Sequence, residues 1–215
     1  METNSDKADG RKDNVKKQKM ENGIHLSRSN LSNTNSKYKA VLFDMGGVVI
    51  HYQTRDAVKS FGQVPAETKR LFEDYEIGLS CVEEVQKFVK GFYEMDENIL
   101  AAIEIIRENG FKTGLLTNNG FFDKEKTRSA IIADTSMFDI IVESCRAGIR
   151  KPDPRFYQIA IDKLNLAPEE CIFLDDVAVN CKAAEKVGMT AIHVAPGDTS
   201  SAIDELETLL SIKLK

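Results

Sequence analysis

From Tyr38 onward the chain contains short apolar runs, each three or four residues long and bounded by Gly, Asn or Asp. The runs are continuous rather than alternating, which is typical of strands that are buried on both faces. A run at Val48–Ile50 follows a Gly-Gly turn after the first of them. The other runs predict five strands, at Ala40–Phe43, Thr113–Leu116, Ile140–Val142, Ile172–Leu174 and Ala191–Val194.

Helical patterns separate these predicted strands. The clearest has Asp96 as its predicted N-cap and Gly110 just beyond its end. Its apolar residues follow the i, i+3, i+4, i+7 spacing of a buried helix face, at Ile99, Ala102, Ile103 and Ile106. Another begins at Pro154, which suits a first helical turn, and two more cover Ala183–Val187 and Ile203–Leu210. Because strands and helices alternate, we predict an α/β fold with a Rossmann-like parallel sheet and helices on both faces.

One segment, residues 53–94, contains only helix-like patterns. It includes Ser80–Glu83, the sequence of a capping box, which predicts the start of a helix. The apolar side of that predicted helix is formed by Val82, Val85, Val89 and Phe92. Because the segment lies between the first two predicted strands of the sheet, we interpret it as a small helical cap inserted after the first strand. The α/β core is then residues 38–52 and 95–215.

The first 37 residues differ in composition from the rest of the chain. They contain no aromatic residue and carry a net charge of +3, whereas the remainder of the 215-residue chain carries −8. A segment with so few apolar residues cannot bury enough surface to offset its ordering entropy. We therefore predict a disordered tail over residues 1–37, followed by one domain with a modest insertion.

Composition also excludes several classes of protein. No apolar run approaches the roughly 20 residues that span a bilayer, and an acidic chain without Trp is not expected to bind nucleic acid. The cysteines form no C-x-x-C pair and follow no signal peptide, so we expect reduced thiols in a cytoplasmic protein. The oligomeric state is left open.

Polar side chains follow the predicted strands at the points where the strands end. Asp44 ends the first strand, and Asp175–Asp176 ends the fourth. Thr117 and Asn118 end the second, and Lys151 comes shortly after the third. Each residue alone is an ordinary turn, cap or surface residue. Ligands of open α/β sheets bind outside the carboxyl ends of the strands, so we expect these side chains to meet in one crevice.

This set of side chains suits phosphoryl transfer, whose transition state needs an in-line nucleophile and charge stabilisation on the peripheral oxygens. Asp44 is the predicted nucleophile and would form an aspartyl phosphate. Asp44 and Asp176, with a backbone carbonyl, offer hard oxygen ligands to one Mg²⁺. The Thr117 hydroxyl and the Asn118 backbone N–H are predicted to bind the phosphate. Lys151 is predicted to neutralise the charge that develops during transfer.

Four motifs resemble, in order, those of the haloacid dehalogenase superfamily of hydrolases, from Tyr38 to the end of the chain. The nucleophile motif is matched at Val41–Val49 and the phosphate-binding motif at Leu115–Asn119. The lysine motif is matched at Arg150–Pro154 and the metal-binding motif at Cys171–Asn180. The last motif is most similar to the N-terminal phosphatase domain of soluble epoxide hydrolases, and F-D-M-G-G-V to a related domain fused to some acyl-CoA dehydrogenases. The resemblance implies a Mg²⁺-dependent phosphatase acting on a small phosphorylated substrate.

Two departures from the family pattern bear on activity. Family phosphatases usually carry a second Asp two residues after the nucleophile, as general acid and then base, and this chain has Gly46 there. The Gly46 carbonyl is still expected to bind the metal, together with Asp44 and Asp176. It transfers no proton, however, and losing such a group typically costs about 10²–10⁴-fold in rate. The second departure is a cap that looks shorter than those of close relatives.

Other functions and proton carriers stay open. His51 could supply the missing proton transfer, although we expect it to be a surface-loop histidine. A catalytically impaired protein that binds a phosphorylated ligand or partner would account for Gly46, the small cap and the basic tail. Hydrolysis of carbon–halogen bonds also uses an Asp nucleophile but needs no Mg²⁺, so the Asp175–Asp176 pair argues against it.

Overall fold

The computed structural model of the protein describes residues 36–52, 66–80 and 93–215. In chain order, its elements are β1 (Ala40–Phe43), β2 (Ile50–Tyr52), α1 (Ala66–Glu76), β3 (Tyr93–Met95), α2 (Glu97–Glu108), β4 (Lys112–Thr117), β5 (Ile140–Glu143), α3 (Ser144–Ala147), α4 (Pro154–Leu164), β6 (Cys171–Asp175), α5 (Ala178–Val187), β7 (Thr190–His193) and α6 (Thr199–Leu210). A short 3-10 turn at Pro168–Glu170 precedes β6.

The central sheet has parallel strands in the order β5-β4-β1-β6-β7. Each strand begins and ends within one residue of its predicted run, so the predicted α/β fold class is confirmed. In the register of the sheet, Val41 of β1 lies between Thr113 of β4 and Ile172 of β6. The chain winds from β1 out to β5 and then returns to the other side of β1. The strand order therefore reverses between β1 and β6, and such a switch point is where ligands of open α/β sheets bind.

Two apolar cores cover the two faces of this sheet. Val41 and Phe43 belong to the core that contains the buried residues of α2 and α6, whereas Ala40 and Leu42 belong to the core beneath α4. The predicted buried face of α2 is confirmed, and its predicted N-cap, Asp96, accepts a hydrogen bond from the Ile99 N–H at 2.9 Å. The continuous apolar strands are thus explained, because both of their faces are covered by helices.

Strands β2 and β3 form a separate antiparallel pair that the sequence did not predict. Tyr93–Met95 is a strand, so the expectation that residues 53–94 contain only helical structure is wrong at that end of the segment. In the run Val48–Ile50 only Ile50 belongs to a strand, because the N–H groups of Val49 and Ile50 turn back to the Met45 carbonyl. Strands of three residues are too short for periodicity to reveal.

Helix α1 lies in the predicted cap segment, and its C-terminal end packs on the loops that follow β4 and β5. The Tyr75 ring lies so close to Gly120 that a Cβ at Gly120 would overlap it. A Cβ at Gly78, where φ is +75°, would overlap the Cys145 carbonyl oxygen. Because a side chain fits at neither position, the end of α1 rests directly on the backbone of the core.

Several predictions fall wholly or largely outside the described residues. These are the tail over residues 1–37, of which residues 36 and 37 are described, the capping-box helix with Val82, Val85, Val89 and Phe92, and Cys81. The boundaries of tail, cap and core stay predictions, as does the cytoplasmic location. The other cysteines, Cys145, Cys171 and Cys181, are buried free thiols. Within the described ranges, every helix is too short or too polar to cross a membrane.

Candidate functional site

A buried lysine lies at the centre of the predicted crevice. Lys151 Nζ is 2.7 Å from Asp44 Oδ1 and 2.7 Å from Asp175 Oδ2, and it donates to the Leu116 carbonyl at 2.8 Å. Only 1% of the lysine is exposed. The structure therefore joins the ends of β1, β4 and β6 through one ammonium group, beside the switch point.

The Asn118 side chain fixes the backbone of this lysine. Asn118 Oδ1 accepts a hydrogen bond from the Lys151 N–H at 2.9 Å, and Asn118 Nδ2 donates to the Lys151 carbonyl at 3.1 Å. From the sequence, only the backbone N–H of Asn118 was predicted to take part in the site, and this role of its side chain was not predicted. The clamp determines where the lysine enters the site, because Lys151 comes from a loop beyond β5.

Thr117 and Asn119 flank this clamp and differ in their bonding. The Thr117 side chain is buried at the end of β4, and its hydroxyl makes no hydrogen bond within the described ranges. Asn119 is held firmly, because its N–H donates to Ser144 Oγ at 2.9 Å and its Nδ2 donates to Glu143 Oε1 at 2.8 Å. Asn119 therefore anchors the loop to β5 and α3, and among the described residues the Thr117 hydroxyl has no partner, so its binding of phosphate stays a prediction.

Asp175 is already occupied by protein donors. In addition to Lys151, its carboxylate accepts hydrogen bonds from Asn180 Nδ2 at 3.0 and 3.1 Å and from the Val177 N–H at 2.8 Å. Asn180, the last residue of the matched metal-binding motif, is buried against this carboxylate. Asp175 thus holds the lysine in place, a role that was not predicted from the sequence. This role could have been inferred, because a lysine expected in a buried crevice, such as Lys151, requires a carboxylate partner.

Asp176 lies on the other side of the site, against the Gly46–Gly47 turn. Gly47 has φ of +74°, and a Cβ there would overlap the Asp176 carboxylate. In the part of the chain that the structure describes, the only side chains grouped closely enough to hold a metal ion are Asp44, Asp175 and Asp176. One ligand atom from each lies within 4.8 Å of the others. Of the predicted ligands, Asp44 and Asp176 are therefore close enough to share an ion, with Gly46 in the adjoining turn.

The charges of this cluster are not balanced by the protein alone. Burial, together with the charges of Asp175 and Asp176, raises the pKa of Asp44 to about 8, although Lys151 acts in the opposite direction. Burial and the charge of Asp175 raise the pKa of Asp176 to about 6. Burial alone would lower the pKa of Lys151, but Asp175 and Asp44 raise it above its usual value. One lysine cannot neutralise three carboxylates, and this donor set fits a hard divalent cation.

This imbalance predicts how stability depends on pH in a chelator. The pKa of Asp44 rises from its ordinary 3.8 to about 8 on folding, so between these values the folded protein binds more protons than the unfolded chain. The free energy of unfolding should then fall as pH rises through that interval. In denaturant titrations in chelator, we expect the free energy of unfolding to fall more steeply with pH for wild type than for Asp44→Asn. An equal or shallower fall in wild type would contradict the prediction, and saturating Mg²⁺ should remove the difference.

His51 is not a surface-loop residue, which corrects the expectation from the sequence. It belongs to β2, and its Nε2 is 2.7 Å from Asp96 Oδ2. Asp96 also accepts a hydrogen bond from Thr199 Oγ1 at 2.7 Å. The unpredicted β2–β3 pairing is the reason, because it brings His51 beside the N-cap of α2.

A second ion pair lies beside the lysine loop and was not predicted. The carboxylate of Glu76, the last residue of α1, contacts the guanidinium of Arg150, which directly precedes Lys151. The inserted segment is therefore linked to the site by charge as well as by the packing of Tyr75. No local pattern could show this pair, because its members are far apart in the sequence.

Comparisons with known proteins agree with this arrangement. Over 82% of its length, the chain is 32% identical to acyl-CoA dehydrogenase family member 10 of Mus musculus. Over 54% of its length, it is 37% identical to bifunctional epoxide hydrolase 2 of Sus scrofa. It spans about a fifth of the length of these two relatives, covering 20% and 21% of them. It is also 28% identical to a sesquiterpene phosphatase of Aspergillus oryzae, over 80% of this chain and 97% of that protein.

Solved structures show the same fold. A predicted HAD-like family hydrolase of Porphyromonas gingivalis matches 80% of this chain and 98% of its own, with a TM-score of 0.59 and 23% identity. A HAD-family enzyme of Bacteroides thetaiotaomicron, an Asp-to-Ala mutant in complex with magnesium and inorganic phosphate, matches 74% of this chain and 95% of its own, with a TM-score of 0.56 and 20% identity. The family model described as haloacid dehalogenase-like hydrolase matches residues 69–188, which is more than half of the chain. With that match added to the shared fold, the protein belongs to the haloacid dehalogenase-like hydrolases.

Proposed function

We propose that the protein is a Mg²⁺-dependent phosphoric monoester hydrolase that forms an aspartyl phosphate on Asp44. One observation carries the proposal: the Asp44 carboxylate is held 2.7 Å from a buried lysine, in a cluster whose negative charge exceeds what that lysine can neutralise. Such a cluster at a switch point is suited to bind a cation and a phosphoryl group together.

The residues that would hold the metal are Asp44 and Asp176, with the Gly46 carbonyl as a third oxygen. When bound, a divalent ion supplies the positive charge that allows the carboxylates and a phosphate to share one site. Asp175 is left out of this set, because its oxygens already accept hydrogen bonds from Lys151, Asn180 and Val177.

The remaining side chains orient and stabilise the phosphoryl group. The Thr117 hydroxyl and the Asn118 backbone N–H would donate to its peripheral oxygens, while Lys151 offsets the charge that develops there. Asp175 and Asn118 hold the lysine in position, so the ammonium group does not have to reorganise during the reaction. The burial of this group increases the strength of its electrostatic interactions.

The similarity to a sesquiterpene phosphatase over nearly its whole length favours a small phosphorylated substrate. An activated aryl phosphate is therefore a suitable first probe. We expect the purified chain to release phosphate from p-nitrophenyl phosphate only when Mg²⁺ is present, and to lose this activity reversibly in chelator. An acid quench during turnover should trap phosphate covalently on the peptide that contains Asp44. Turnover that persists in chelator, or the absence of turnover across a panel of phosphate esters, would contradict the proposal.

Gly46 favours a second candidate function, a protein that binds phosphorylated ligands without turning them over. Calorimetry distinguishes the two functions. Binding of phosphate in the presence of Mg²⁺, with no turnover of any ester, would support the second function and exclude the first.

A further inference from the structure

The site described above lacks a proton carrier at Gly46, and nearly every neighbouring carboxylate already has another role. Asp44 and Asp176 are the proposed metal ligands, and Asp175 holds Lys151. Asp96 is bonded to His51, Thr199 and the Ile99 N–H. Glu76 is a further carboxylate beside the lysine loop, and it is paired with Arg150 rather than with Lys151.

The position of Glu76 is fixed from two sides. Its neighbour Tyr75 packs on Gly120, two residues beyond Asn118, and its own carboxylate contacts Arg150 beside Lys151. Glu76 therefore lies between the two loops that supply Asn118 and Lys151 to the site. About a fifth of its side chain remains exposed, and its carboxylate is close enough to Lys151 for the two charges to interact.

One carboxylate oxygen of Glu76 is buried, and its contact is an ion pair with Arg150. Its Oε2 forms an ion pair with Arg150 Nη2, and among the described residues this buried atom has no well-directed hydrogen bond. Buried polar atoms without partners are rare in folded proteins and call for an explanation. A proton on this carboxyl group, or a ligand hydroxyl that donates to it, would satisfy the atom.

The surroundings of Glu76 act on its pKa in opposite directions. Burial raises the pKa of Glu76 above its usual value, and the charge of Glu73 on the same helix acts in the same direction. The positive charges of Arg150 and Lys151 lower it, by less than burial raises it. A group that both gives and takes a proton works best when its pKa lies close to the operating pH.

We propose that Glu76 takes over the proton transfers of the carboxylate missing at Gly46, as general acid and then as general base. This rests on the proposed phosphatase function. In the first half-reaction Asp44 forms its bond to phosphorus, the ester P–O bond breaks, and the Glu76 carboxyl proton passes to the leaving oxygen. In the second, the Glu76 carboxylate takes a proton from a water molecule that attacks phosphorus, and the Asp44–phosphorus bond breaks. Ester and water thereby become alcohol and phosphate. Catalytic hydrogen bonds are often long in ligand-free structures and shorten when substrate binds.

The test compares esters whose leaving groups differ in their need for a proton. We expect Glu76→Gln to slow the hydrolysis of an alkyl phosphate by about 10²-fold or more, the usual contribution of a general acid, and to affect p-nitrophenyl phosphate much less. The matched control is Glu73→Gln, which removes the same charge one turn earlier on α1. It should leave the ratio of the two rates unchanged. If Glu76→Gln slows both esters by the same factor, or neither, the proposal is overturned.

Rescue provides an independent readout. Gly46→Asp restores the family's carboxylate, and Gly46 does not have the positive φ that would exclude a side chain. Added to Glu76→Gln, it should return most of the lost alkyl phosphatase activity, which a merely structural role of Glu76 would not predict. If the double variant stays as slow as the single one, the proposal fails.

If Glu76→Gln does not fold, Arg150→Gln tests the role of Glu76 in a different way. Because removing the guanidinium raises the pKa of Glu76, the alkaline limb of the pH–rate profile for an alkyl phosphate should shift to higher pH. An unchanged limb would overturn the assignment. Failure of the proposed function would look different, because p-nitrophenyl phosphate turnover dependent on Asp44 would then be absent in wild type.

Discussion

Asp44→Asn is expected to abolish turnover and, at the same time, to stabilise the protein in the absence of metal. Removing a nucleophile that acts as part of a catalytic unit typically costs on the order of 10⁴–10⁶-fold in rate. The asparagine oxygen can still accept a hydrogen bond from Lys151 Nζ, which lies 2.7 Å from Asp44 Oδ1. The substitution therefore removes the reactive oxygen and one negative charge while keeping the shape of the site.

The gain in stability follows from the charge imbalance. Asp44 resists ionisation, as its pKa of about 8 indicates, because it is buried beside Asp175 and Asp176. In a chelator at about pH 9, wild type must ionise this group, whereas the asparagine variant need not. Thermal melting in chelator should give a higher Tm for Asp44→Asn than for wild type at this pH, with the two converging towards pH 4.

Addition of Mg²⁺ should reverse the order of the two proteins. Wild type gains stability from the ion by mass action, about 2.7 kcal/mol at a hundredfold excess over the dissociation constant. The variant has lost one of its proposed ligands and should gain less. An Asp44→Asn protein that hydrolyses esters at a rate close to wild type, or melts lower in chelator at high pH, would contradict this account of the site.

Lys151→Met is expected to be harmful to both stability and activity. Methionine nearly matches the length of lysine but provides no donor for Asp44 Oδ1, Asp175 Oδ2 and the Leu116 carbonyl. Breaking a buried ion pair by removing one partner typically costs about 3–5 kcal/mol, because the other charge stays buried and uncompensated. Loss of a preorganised donor to the transition state should lower turnover by a further factor of about 10²–10³.

The substitution Lys112→Met, at the opposite end of the strands of the same sheet, is a matched control. Lys112 lies at the start of β4 and pairs with Asp139 at 3.3 Å, with 60% of its side chain exposed. Exposed pairs of this kind contribute about 0–1 kcal/mol, so Lys112→Met should change the free energy of unfolding little. In denaturant titrations, Lys151→Met should lower the free energy of unfolding several-fold more than Lys112→Met does. Similar small losses would show that Lys151 is not an essential counter-charge.

The sequence was sufficient for the sheet and for the position of the site. Strands such as Ile172–Leu174 are covered by helices on both faces, which leaves a continuous apolar run that can be read directly. The residues at the strand ends followed from this, because parallel strands bring their carboxyl ends to one edge. The roles of individual side chains were harder to read. Adjacent aspartates look alike in sequence, and only the structure separates Asp175, which is bonded to Lys151, from Asp176 beside Gly47.

Contacts between distant parts of the chain were the least predictable. The pair of Glu76 and Arg150 joins an inserted helix to a loop beyond β5, and neither residue stands out in its own segment. The β2–β3 pairing likewise depends on two strands of three residues separated by the insertion. Such features depend on how the insertion folds back on the core, and hydrophobic periodicity carries no information on that point.

Gly120 restricts which inserted segments could replace the one in this protein. Because Tyr75 occupies the space in which a side chain at residue 120 would lie, glycine and aromatic ring form one matched unit shared by two parts of the chain. A chimera that grafts a relative's insertion onto this scaffold would have to bring an equally flat, bulky residue to that spot. A smaller one would leave a void under the transplanted helix, and a larger residue at position 120 would lift that helix away from the rest of the molecule.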